Sequence, residues 1–140
     1  MKKKIKLNSV FDFPKNFIGI SSHFKDIQVV WTINNLIDFD FIKVEDFTLL
    51  NKKEKTIQSF SVFYFVDNKG LKHFLVSNKN QNTLLFPKIK NIDFILISQT
   101  PVEYLKKINS LLLHSKMITG AFLLPSDTII AKTLSELFEE

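Results

Sequence analysis

The chain has 140 residues, 45% hydrophobic and 24% charged, enough to bury the core of one domain without disulfide or metal staples. It holds no cysteine, which excludes disulfides, thiolate metal sites and cysteine nucleophiles. The net charge of +5 rests on nineteen basic residues that are all lysine, so the planar arginine fork used for base and phosphate recognition is absent, although lysine still attracts phosphate non-specifically.

Met1-Lys2-Lys3-Lys4 has the charged start of a signal peptide, but no apolar stretch follows it. No run anywhere reaches the roughly 18 apolar residues of a membrane span. The expectation is a soluble cytoplasmic protein with no membrane partner, one domain over 1–140 with flexible ends at 1–3 and 126–140. Lys4 to Asn8 alternates lysine and aliphatic residues and reads as a short edge strand. Phe17-Ile18-Gly19-Ile20-Ser21 reads as a strand entering a helix over 24–37, which Ser21 or Ser22 can cap. Phe24, Ile27, Val30, Trp31 and Ile37 fall at helical spacing, and Trp31 is expected to anchor that helix in the core.

Phe41 to Leu50 alternates acidic and apolar residues and reads as a strand. Ser59–Val66 and Leu71–Ser77 flank Asp67-Asn68-Lys69-Gly70, a hairpin whose glycine accepts a left-handed backbone. Ile92–Ser98 is nearly all apolar and belongs in the middle of a sheet. Thr100-Pro101-Val102-Glu103 is a helix start, with threonine as cap and glutamate three residues on; the helix runs to about His114, with Val102, Leu105, Ile108 and Leu112 inward. Met117–Leu124 is the last strand, closed by Pro125-Ser126-Asp127 and an amphipathic tail. The order predicts an α+β two-layer sandwich: a mostly antiparallel sheet of six or seven strands with two main helices on one face. With fifteen phenylalanines in the chain, the other face is expected to be partly apolar, which favours a homodimer.

Charge is segmented: +5 over residues 1–25, −4 over 26–50, +7 over 51–116 and −3 over 117–140. His23, His73 and His114 fall in different elements and form no ligand-spaced pair, so they read as surface or capping residues; no metal or cofactor is expected. Gly19, Gly70 and Gly120 are isolated and form no phosphate loop. Ser21-Ser22-His23 and Asp26 include triad residue types, but triads are assembled from separate elements, and helix capping explains them better. Glu45 and Asp46, adjacent on a strand, should point to opposite faces and make a poor acid/base pair. Lys72-His73-Phe74 resembles a nucleic-acid stacking strand, yet hairpin alternation produces the same pattern.

The segment from Leu84 to Ile97 stands apart. Pro87 ends one apolar run and Asp93 interrupts the start of the next, where an unpaired carboxylate would be costly to bury. The structural expectation is that Asp93 accepts hydrogen bonds from amides of the 88–91 connector; the functional alternative puts it at the edge of a pocket.

Phe86-Pro87-Lys88 and Ile92-Asp93-Phe94 resemble a diverged form of the signature that names the IPExxxVDY family of small Bacteroidetes proteins, with Pro87 and Asp93 as the literal matches. The stretch from Phe17 to Asp26, Trp31, Asn34, Val44-Glu45-Asp46, Phe60–Phe65 and Phe74–Lys79 is also similar to that family. The family has no assigned activity, so the resemblance implies no catalytic residues, only a bacterial cytoplasmic setting. Lys88 in place of the signature glutamate argues that this glutamate is not indispensable chemistry. The function expected is a non-catalytic protein-interaction module acting as a homodimer or adaptor. The alternatives are a lysine-driven RNA or DNA binder using residues 2–6 and 51–90, and a small-molecule or enzymatic domain with a pocket near Asp93.

Overall fold

Alternation of apolar residues from Phe60 to Val66 and again from His73 to Ser77 builds a long antiparallel hairpin, and the remaining strands assemble around it. The computed structural model describes residues 16–51, 53–81, 83–125 and 128–135; the strand expected over Lys4–Asn8 lies outside them. In chain order the elements are β1 (Asn16–Ser21), α1 (Asp26–Ile37), β2 (Ile42–Asn51), β3 (Thr56–Val66), β4 (Lys72–Ser77), the two-residue strands β5 (Lys79–Asn80) and β6 (Thr83–Leu84), β7 (Phe94–Ser98), α2 (Val102–Leu112), β8 (Gly120–Pro125) and α3 (Thr128–Leu134). The fold is α+β, with a six-stranded sheet of order β2-β3-β4-β7-β1-β8 in which every neighbouring pair is antiparallel. Strands β5 and β6 pair separately. β7 lies between β4 and β1, the interior position that its apolar run predicts.

Both main helices cover one face. Ile18, Ile20, Leu75 and Leu96 of the sheet pack with Val29 and Ile33 of α1 and with Leu105, Ile108 and Leu112 of α2. The inward stripe of α1 differs from the expected one. Val29, Val30 and Ile33 are buried and Leu36 and Ile37 pack beside them, whereas Phe24, Ile27 and Trp31 face out. Both stripes have helical spacing, but only the aliphatic one continues over three turns within the helix; Phe24 precedes the first helical residue. α2 begins one residue later than expected. Pro101 keeps an extended ψ and is the N-cap, its carbonyl accepting from the N–H groups of Tyr104 and Leu105, while Thr100 donates its N–H to Ser98 Oγ.

The opposite sheet face is apolar, and connecting segments cover much of it. Leu85, Phe86 and Ile92 of the β6–β7 connector, together with Ile130 and Leu134 of α3, close over Phe17, Val62, Phe74, Ile95 and Ile97. Gly19 makes this possible on β1. A Cβ there would sit 2.8 Å from Ile92 Cδ1 and 2.9 Å from Leu124 Cδ1, closer than packed carbons approach. The tail thus supplies a short helix to the second core, with no helix among the described residues long and apolar enough to cross a membrane.

Candidate functional site

The connector that carries Pro87 and Asp93 folds around Asn78, a fully buried side chain just after β4. Asn78 Nδ2 donates to the carbonyls of Ile92 (2.9 Å) and Ile89 (3.2 Å), and Oδ1 accepts from the Phe86 N–H at 2.7 Å. Its backbone completes the clasp, with the Leu85 N–H donating to Asn78 O and the Asn78 N–H to Asp93 O. A two-donor, one-acceptor amide suits a connector that has too few residues to pair its own backbone. Pro87 is the first residue of the 3-10 turn Pro87–Ile89, where its missing N–H has no partner to lose. Asn78 was invisible to hydropathy reasoning; its one sequence signal is a polar residue ending an otherwise apolar strand.

Asp93 is half-buried, and its partners are not those expected. Instead of accepting from the connector's amides, Oδ2 accepts from the Ser22 N–H at 2.8 Å and Oδ1 pairs with Lys79 Nζ at 2.6 Å. The Asp93 N–H donates to Ile20 O. Asp93 therefore ties the β1–α1 turn to the connector. Ser22 Oγ donates to Met117 O and accepts from the Phe24 N–H, and Ser21 Oγ donates to Asn91 O. Neither serine caps α1, whose N-cap is Lys25. Asp26 stays in the first turn, accepting from the Ile27 N–H, and His23 is exposed. Asp93 does line a cleft of about 610 Å³, a polar one, with Asp46, Ser61, Ser77 and Lys79 among its walls. Asp46 reaches it through an irregularity in the β2–β3 register between Val44 and Phe47, and is paired with Lys43.

His73 departs furthest from its expected surface or capping role. It is 1% exposed, with Nε2 3.0 Å from Asp67 Oδ2 and Nδ1 2.8 Å from Ser98 Oγ. An ionised Asp67 requires a donor, so Nε2 carries the proton and Nδ1 accepts from the Ser98 hydroxyl, which in turn accepts from the Thr100 N–H. Burial holds the His73 pKa below the ordinary 6.5, outweighing the upward pull of Asp67. Burial by itself would raise Asp67, but hydrogen bonds from His73 and from the Leu71 and Lys69 N–H groups hold it below 3.8. The ring lies against Phe39 and Phe65. The residue types match a hydrolytic relay, but Ser98 is itself 1% exposed, so its hydroxyl meets no solvent and cannot act as a nucleophile.

Two surface features complete the search. On α1, Ile27 is 71% and Trp31 66% exposed, two large apolar side chains at i and i+4 on one side, and Phe24, just before the helix, is 43% exposed. On the opposite face of the sheet lies a cleft of about 500 Å³, walled by Phe17, Leu49 and Leu124 from the sheet, Phe86 and Pro87 from the connector and Ile130 from α3. Among the described residues no group of three or more histidine and carboxylate side chains is placed to hold a metal ion. No protein-family model, no curated protein and no solved structure matches the chain.

Proposed function

We propose that the chain is a cytoplasmic, non-catalytic protein-interaction module that forms a homodimer through the exposed side of α1. The observation that supports it is the pair Ile27 and Trp31 on α1, with Phe24 just before the helix: apolar area left in water by an element whose other side packs on the sheet. Exposed tryptophan on a rigid element is the residue type that dominates interface energetics. A second copy is the occupant that fits the ends of the helix. An antiparallel pair across a two-fold axis sets Lys25 and the positive N-terminal end of one α1 near Asp38 and the negative C-terminal end of the other. The same reading places the chain with the IPExxxVDY proteins, on Pro87, Asp93 and the order of the similar segments.

Sedimentation velocity over a concentration series tests the dimer. Wild type should sediment as a dimer at micromolar concentrations, and Trp31→Ser should shift it to monomer with an unchanged far-ultraviolet spectrum. A wild-type chain that stays monomeric at high micromolar concentration overturns the proposal. The lysine-driven nucleic-acid reading predicts a different result: monomers that bind an RNA oligonucleotide at low salt and release it steeply as salt rises.

A further inference from the structure

We propose that the apolar cleft on the connector face is a binding site for a single-chain fatty acid. Leu49 belongs to β2 and Leu124 to β8, the two edges of a six-stranded sheet, yet both line this cleft. The sheet therefore curls toward it, and the cleft lies between that concave face and the connector and α3 that cover it. α3 and the Pro87–Ile89 turn wall it further. Its volume of about 500 Å³ lies within the ordinary range of ligand pockets, roughly 300–1,000 Å³. The lining is almost entirely aliphatic, aromatic or proline; Lys88 and Thr133 are the polar members. Lys88 is exposed on the 3-10 turn and, among the described residues, has no carboxylate partner.

That arrangement selects the ligand chemistry. A curled aliphatic interior favours an alkyl chain over a flat polar molecule, because nothing along its length could pair with buried polar groups. One cation at the rim, with no carboxylate partner among the described residues, favours a ligand whose single charge is negative and terminal. A long-chain carboxylate meets both conditions: the chain lies against Phe17, Leu124 and Ile130, and the carboxylate sits at Lys88. The proposal is independent of the α1 stripe, which lies on the other side of the sheet.

Isothermal titration calorimetry of the full chain with saturated carboxylates from octanoate to palmitate, each below its micellar concentration, tests it. Affinity should rise about fourfold per added methylene, the ratio equivalent to ~0.8 kcal/mol, until the cleft is filled, with one ligand per chain. Each carboxylate should bind more tightly than the alcohol of the same length. Lys88→Met, an exposed change that leaves the core untouched, should erase that head-group preference while keeping the chain-length dependence. Ile130→Asp should abolish both; a Trp31→Ser chain should bind like wild type. Absence of saturable binding, affinity that ignores chain length, or a carboxylate preference that survives in Lys88→Met would each overturn the assignment.

Discussion

On the helix face, Ile18, Ile20 and Leu96 meet Ile33, Leu105 and Ile108 across a repeating aliphatic contact, and the backbone of both covering helices is paired within itself. On the connector face the cover has no such repeat. Leu85, Phe86 and Ile92 are held over the sheet because Asn78 pairs the backbone between them, and because Gly19 leaves room. One layer is thus covered by helices that pair their own backbone, the other largely by a connector whose backbone depends on one buried amide. The difference teaches where each face fails: the first loses stability in proportion to volume removed, the second all at once when its hydrogen bonds go.

Asn78→Ala should have the largest effect, about 3–4 kcal/mol in urea unfolding, because the Phe86 N–H and the Ile92 carbonyl lose the buried partner that Asn78 supplies, and the Ile89 carbonyl keeps only the Ile92 N–H. Hydrogen exchange should rise across 85–92 before it rises in α2; uniform exchange would remove the contrast between the faces. Ile108→Ala, on the helix face, should cost about 3 kcal/mol through a cavity, with exchange rising evenly over the molecule. Gly19→Ala comes next, at about 2 kcal/mol, since the added methyl displaces Ile92 and Leu124. A loss below about half a kcal/mol would show that the connector gives way freely.

Acid should act more gradually, and through the helix face, where the ring of His73 sits against Phe39 and Phe65. The folded pKa of His73 lies below 6.5, so the unfolded chain takes up that proton first. Stability should fall as pH drops through about 6.5 and continue falling until His73 is protonated in the native state. Asp67, held below 3.8, adds a second decline that begins near that value. Urea midpoints measured from pH 8 to 5 check the first window, and His73→Gln should flatten it. A wild-type midpoint that does not move over this interval would show that the ring charges equally in both states.

Local pattern made most of the framework legible. The hairpin around Asp67–Gly70 is observed, with Phe63 opposite Leu75 and Tyr64 opposite Phe74, because alternation and a turn glycine specify register directly. Trp31 was read as core and is exposed, because two stripes on α1 share one period and periodicity alone does not choose between them. The candidate sites were harder to read for another reason. Asp67 stands only six residues from His73, across the hairpin turn, but Ser98 stands twenty-five away and Asp93 reaches back to Ser22 across 71 positions, so no local window contains either of those pairs. Asn78 fills its role through backbone groups, which carry no residue identity to search for. The apolar cleft depends on sheet curl, a property of six strands together.

The place of β1 in the strand order has a kinetic consequence. Strands β2, β3 and β4 follow one another and can zip up as a meander with short loops. β1 cannot join them: Ile18 pairs with Leu96 on one side and Leu123 on the other, both supplied by much later chain. Closing those long loops carries an entropic penalty that only late contacts repay, which makes the insertion of β1 between β7 and β8 the step that should set the folding rate. During synthesis β1 leaves the ribosome before both strands it pairs with, and must wait for them to find its place.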